Sequence, residues 1–223
     1  MNEISLLNAR AGSTPSGTGS YVYFTNVSLV VQNIAFTKVV GVFGHTNFGA
    51  WTFFPCSYVR SVPGNEVWQA HITGDRIDQF ALEYQVGGQT YWDNNSGYDY
   101  RLDTVAAQTD GIGTAIINPN VLVVAVEVFP AGTLNVLILV KNIDFAKTVA
   151  IVYTTDNWAT FHTVFGSYQR NYPPAKQPSQ ADAELWEVKV PIGAGTIGSF
   201  AAFYTVGGAT YWDNNFTLNY SFP

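Results

Sequence analysis

Apolar and polar residues alternate in short runs along this chain, and turn residues punctuate the runs. Val67 to Ile72 and Leu185 to Val190 alternate between an apolar and a polar face, the period of a half-buried strand. Ser28 to Asn33, Leu134 to Asn142, Val39 to Phe43 and Val149 to Tyr153 also read as strands. Pro63-Gly64-Asn65, Gly74-Asp75 and Pro191-Ile192-Gly193 are turn material between them. Gly87-Gly88 and Gly207-Gly208 each separate two strand-like runs and read as hairpin loops. No segment carries a helical period with caps at both ends. Short strands at this spacing predict an all-β chain folded as antiparallel β-sandwiches.

The runs occur twice. Tyr91-Trp92-Asp93-Asn94-Asn95 returns as Tyr211-Trp212-Asp213-Asn214-Asn215, each behind an aromatic strand ending in Gly-Gly. Val31 to Lys38 matches Val140 to Lys147, and Trp51 matches Trp158. Ser57-Tyr58 and Arg60 match Ser167-Tyr168 and Arg170, and Glu66-Val67-Trp68 matches Glu184-Leu185-Trp186. Order is kept while gaps differ, which is how loops vary between shared strands. The reading is two sandwiches in tandem, residues 1–103 and 121–223, joined by a linker over 104–120. Ala11 to Ser20, rich in Gly, Ser and Thr, reads as a flexible loop of the first half alone.

Composition narrows the function. Charged residues make up 12% of the 223 residues and aromatics 15%, a balance that favours sheet. Net charge is −6 with no basic patch, which disfavours nucleic acid and anionic membranes. No stretch reaches the ~18 consecutive apolar residues of a membrane span. Cys56 is the single cysteine and reads as a buried small hydrophobe. The start, Met1-Asn2-Glu3-Ile4-Ser5, lacks a secretory signal. Two of three sequons, at Asn94 and Asn215, fall inside the repeated motif, where a glycan would cover it; a cytoplasmic residence is the expectation.

The repeated motif carries sugar chemistry. A flat ring covers the C–H face of a pyranose, while Asp and Asn bond its hydroxyl rim. The candidates are Trp92, Asp93, Asn94 and Asn95, and Trp212, Asp213, Asn214 and Asn215. The same Asn side chains would also make Asx-turns with their own backbone. On a strand, one ring of each Tyr-Trp pair points inward, and Tyr91 and Tyr211 are expected to be the inward ones. Trp51 and Trp158 follow small or polar residues and are expected to be exposed. Trp68 and Trp186, mid-strand, are expected in the interior. Phe36 and Phe145 are either strand-end plugs or a second contact surface. Catalysis has little to work with. Only Asp93/Asp213 and Glu66/Glu184 recur among the acids, and nothing places such a pair across a cleft as a glycosidase requires. No catalytic triad, phosphate loop, cofactor motif or metal-ligand spacing is present.

The Asn-Ile-x-Phe-x-Lys strand end, the loop Trp, Ser-Tyr-x-Arg, the Phe-Ala strand and Tyr-Trp-Asp-Asn-Asn together resemble the family 21 carbohydrate-binding, or starch-binding, module. The resemblance spans Ser28 to Leu102 and Leu134 to Tyr220. It implies immunoglobulin-like sandwiches that bind α-glucans and have no catalysis of their own. Starch-binding domains of amylases and glycogen-targeting subunits of protein phosphatase 1 belong to that family. By position, the resemblance puts stacking rings at Trp51 with Trp92 and at Trp158 with Trp212. It puts polar contacts at Asn94, Asn95, Asn214 and Asn215, and a second site at Phe36 and Phe145. Ala81 and Ala201 depart from members that carry a Tyr there, and no Arg-Val-x-Phe-type phosphatase-docking stretch is present. The expected function is a non-catalytic, bivalent, lectin-like protein for an oligo- or polysaccharide. Starch, glycogen and maltooligosaccharides come first. A lectin for non-glucose glycans and a protein-interaction scaffold are the alternatives.

Overall fold

The computed structural model describes residues 2–17, 19–46, 49–102, 112–172 and 182–223. The chain forms two compact units, the first built on Met1–Asn118, the second on Pro119–Asn171 and Asp182–Pro223. The first unit contains β1 (Ile4–Pro15), β2 (Tyr21–Gln32), β3 (Lys38–Thr46), β4 (Trp51–Pro55), β5 (Ser57–Val62), β6 (Asn65–Thr73), β7 (Ile77–Val86), β8 (Gln89–Asp93), β9 (Tyr100–Arg101) and β10 (Ile112–Ile117). Its two sheets run β10-β1-β2-β6-β5 and β4-β3-β7-β8, with β9 also on β7. Every pairing described is antiparallel.

The second unit repeats this plan. Its strands are β11 (Val121–Phe129), β12 (Thr133–Lys141), β13 (Lys147–Thr154), β14 (His162–Phe165), β15 (Ser167–Tyr172), β16 (Ala183–Pro191), β17 (Gly198–Val206), β18 (Ala209–Asp213) and β19 (Tyr220–Phe222). The sheets run β11-β12-β16-β15 and β14-β13-β17-β18, with β19 on β17. Among the described residues no helix is long and apolar enough to cross a membrane.

Alternation builds each core. Val27, Leu29 and Val31 of β2 point inward from one sheet; Phe80, Leu82 and Tyr84 of β7, with Val40 and Val42 of the adjacent β3, point inward from the other. Leu134, Val136 and Ile138 of β12 meet Phe200, Ala202 and Tyr204 of β17 in the same way. Tyr84 and Tyr204 are fully buried. Each hydroxyl donates at 2.7 Å to a strand-end carbonyl, that of Gln32 or of Lys141, so neither is left unsatisfied. The Gly87-Gly88 and Gly207-Gly208 hairpins have positive φ at both positions, between 56° and 78°. That is the two-residue turn whose twist matches the flanking strands.

Two readings of the sequence are corrected here. Ile112–Ile117, placed in a linker, is strand β10, paired with β1 from Asn8↔Ile117 to Gly12↔Ile112. Its apolar Ala115, Ile116 and Ile117 are buried, which is why the stretch pairs rather than tethers. Residues 103–111 lie outside the described residues. Ala11 to Pro15, placed in a flexible loop, continues β1 against Tyr21–Thr25 of β2. Cys56 is half-buried against the core, and burial pushes its thiol up to about 12.

Candidate functional site

β8 and β18 each follow a Gly-Gly hairpin and end the strand order of their sheet, and alternation decides which rings face solvent. Tyr91 and Tyr211 pack on the cores. Trp92 and Trp212, one residue on, face out and are 48% and 55% exposed. Trp51 and Trp158 are 41% and 37% exposed.

In the first unit, three rings make one surface. Phe43 stands outward on β3, opposite Ala81 of β7. Trp51 stacks on it at 5.4 Å with planes 20° apart, and Trp92 meets it edge-on at 6.0 Å. The His45 ring lies 5.7 Å from Trp51 and is held by Asp78 at 2.8 Å. Phe43, Trp51 and Trp92, with Ala81, Asn94 and Asp99, line a shallow depression of about 380 Å³.

In the second unit the equivalent of Phe43 is Val152, opposite Ala201. An additional ring comes from elsewhere: Phe203, opposite Trp212 across β17 and β18, lies 5.2 Å from that indole. The matching position in the first unit is Glu83. Trp158 sits at the tip of a left-handed turn, with φ +55° at Asn157 and +67° at Trp158. Asp156 organises that turn. Its carboxylate accepts from the Thr160 amide at 2.9 Å, the Thr160 hydroxyl at 2.6 Å and the Thr154 hydroxyl at 2.8 Å. The bonds from Thr160, then that from Thr154, hold the Asp156 pKa down at about 2. Thr154 Oγ1 accepts the Trp158 amide at 3.0 Å.

The repeated acids were expected at the sugar rim, and the structure places them elsewhere. Asp93 Oδ2 accepts the Leu6 amide of β1 at 2.9 Å, and the Tyr100 hydroxyl reaches both oxygens at 2.8–2.9 Å. Asp213 accepts the Val123 amide of β11 at 2.7 Å and the Tyr220 hydroxyl at 2.9 Å. Leu6 and Val123 border the register shifts of β1 and β11, where a bulge turns an amide out of its own ladder. Each carboxylate therefore ties one sheet of a sandwich to the other. Burial, then the Asp93 charge, pushes the Tyr100 phenol far above its ordinary value.

The asparagines divide their work. Asn94 Oδ1 accepts the Gly97 amide at 3.0 Å and Asn214 Oδ1 that of Thr217 at 3.0 Å, the Asx-turn alternative. Asn94 nevertheless borders the depression, and its Nδ2 has no protein acceptor among the described residues. Asn95 and Asn215 turn inward, and their Nδ2 groups donate to the carbonyls of Asp99 at 3.0 Å and Asn219 at 2.9 Å. These bonds close the loop that follows each motif.

Phe36 and Phe145 are 98% and 97% exposed, so the plug is overturned. Phe145 stands at a groove of about 610 Å³ with Asn142, Lys147, Tyr168 and Trp186. Trp186 is half-buried rather than interior; its core side packs inward while Nε1 donates to Glu184 at 3.1 Å. Lys147 bonds Glu184 at 2.8 Å and Asn142 at 2.6 Å. Trp68, Glu66, Lys38 and Asn33 repeat this network in the first unit. Phe43, Phe203 and Asp99 were not picked out from the sequence. The outward phase of Phe43 between Val42 and Gly44 was the available signal.

Residues 118–223 match the family described as carbohydrate/starch-binding module (family 21). Among curated relatives, human protein phosphatase 1 regulatory subunit 3B is 36% identical over 84 residues, covering 32% of this chain and 29% of its own length. Glucoamylase 1 of Rhizopus oryzae is 33% identical over 82 residues, covering 34% of this chain and 14% of its own. The chain thus spans less than a third of the length of these relatives. A solved structure of the starch-binding domain of Rhizopus oryzae glucoamylase, in complex with β-cyclodextrin and maltoheptaose, is similar at 25% identity. It has a TM-score of 0.36 and covers 47% of this chain and 95% of that one.

Proposed function

We propose that this chain is a non-catalytic, bivalent carbohydrate-binding protein for α-glucans such as starch, glycogen or maltooligosaccharides. On this reading the first unit is a second, diverged copy of the module in the second. The observation that carries it is the open aromatic surface repeated in both units. Trp51, Phe43 and Trp92 form it in the first, and Trp212 with Phe203, accompanied by Trp158, in the second. Pyranose faces stack on such rings, and Asn94 and Asn214 meet the hydroxyl rim. Asp93, Asp213, Asn95 and Asn215 hold the loop that presents them. Phe36 and Phe145, with the groove beside Phe145, form a second contact surface in each unit. Shallow sites of this kind give affinities of roughly micromolar to millimolar strength. Two on one chain raise avidity on a polymer without any new contact.

Titration calorimetry with maltoheptaose tests the reading. The Trp92→Ala, Trp212→Ala double variant loses binding by a factor of about 10 or more, and unchanged binding defeats it. Similarity to phosphatase regulatory subunits favours a second reading, a scaffold whose exposed rings hold a protein. A blank glycan array together with a partner lost in the same double variant supports that reading instead.

A further inference from the structure

We infer that the depression of the first unit selects its saccharide by charge. It favours a cationic amino sugar over the neutral sugar of the same ring and rejects the anionic one. The inference rests on the reading that this depression holds a sugar. Phe43, Trp51 and Trp92 line it, and the faces of aromatic rings attract cations. Asp99, the one acidic residue among those lining it, borders the depression too. Gln79 Nε2 donates to Asp99 Oδ2 at 2.7 Å, which fixes the group and leaves Oδ1 without a protein donor among the described residues. Neither basic neighbour, His45 or Arg101, pairs with it among the described residues. Asp78 is taken up by His45 at 2.8 Å. Arg101, opposite Gln79 in register, forms no ion pair with Asp99 among the described residues.

The second unit shows what is specific to the first. Its loop carries Asn219 in the place of Asp99, at φ +56° against +55°. In both, the carbonyl of this residue accepts from the second Asn of the motif. The backbone is kept and the charge is removed. An amide offers two N–H donors and an acceptor oxygen, which suits neutral hydroxyls. A carboxylate only accepts, so it takes hydroxyl or ammonium donors and repels an anion. The net charge of −6 acts in the same sense at longer range.

The test uses the full chain carrying Trp158→Ala and Trp212→Ala, so that the first unit alone is read. Glucose, glucosamine and glucuronate share a ring and differ in charge. Each is titrated at fixed ionic strength while the Trp92 indole N–H is followed by NMR, with the Trp68 signal reporting an intact fold. Glucosamine binds about two- to fivefold more tightly than glucose, and glucuronate leaves Trp92 unmoved. Asp99→Asn brings all three to within about twofold of one another. Equal affinities in the parent, or a ranking that survives Asp99→Asn, overturn charge selection while sugar binding stands. A Trp92 signal that moves with none of them, nor with maltoheptaose, overturns the site and the inference together.

Discussion

The two units share strand order, hairpins and the acid that joins their sheets, yet their aromatic surfaces are assembled differently. In the first, the added ring comes from β3: Phe43 lies between Trp51 and Trp92 and draws them into one depression. In the second, Val152 stands at that place, and the ring comes from β17 as Phe203 beneath Trp212. Trp158 is instead held by a turn pinned to Asp156. What the repeats keep is backbone and the Asp staple; what they vary is which strand supplies the flat face. A stacking surface needs only rings at the right height. It tolerates such exchange better than a catalytic pair, which needs fixed distances.

The largest effect that would break the comparison is on folding. Asp93→Ala strands the Leu6 amide and the Tyr100 hydroxyl, and Asp213→Ala does the same to Val123 and Tyr220. Each substitution destabilises its own unit by roughly 2–4 kcal/mol, read as a lower urea midpoint. If either leaves the midpoint unmoved, the staple is not shared. Next is binding. Trp92→Ala and Trp212→Ala each weaken the glucan affinity of their own unit about tenfold, the worth of one stacking contact of ~1.4 kcal/mol. Smaller, and more diagnostic, is the exchange of platforms. Phe43→Val weakens the first site about threefold, while Val152→Phe leaves the second unchanged or strengthens it. Equal losses from Phe43→Val and from a Phe203→Val control in both sites would erase the distinction.

The smallest effect is the acid response of one turn. The folded pKa of Asp156, about 2, lies below its ordinary value, so its contribution is complete above pH ~4 and is lost as pH falls toward about 2. The Trp158 turn therefore stays ordered at pH 4 and loosens between there and pH 2, seen as a change in Trp158 fluorescence. In Asp156→Asn that step disappears.

Much of this was legible beforehand because sheet structure has a period of two. Alternation located the strands and the outward phase of Trp92 and Trp212. The Gly-Gly pairs located the hairpins, since both positions need positive φ. The linker was misread because Gly, Ala and Thr residues around Ile112–Ile117 obscure a strand that exists only through pairing with distant β1. The role of Asp93 was hidden for a related reason. A polar residue beside an exposed Trp looks like a ligand contact, and only three-dimensional register brings the Leu6 amide, eighty-seven residues away, to its carboxylate. The sequence left Phe36 open between a plug and a second contact surface, because Ile34 and Ala35 before it are apolar while Thr37 and Lys38 after it are polar. The turn that follows β2 nevertheless carries the ring clear of the core.

The central claim, two sugar surfaces built on exposed indoles, is tested most directly by following the indole N–H signals of the intact chain during titration with maltoheptaose. Trp92 and Trp212 both shift, saturably, and each midpoint moves to about threefold higher glucan in the variant that removes a neighbouring ring of its own platform, Phe43→Ala or Phe203→Ala. Signals of Trp92 and Trp212 that stay fixed through saturating glucan would contradict the account.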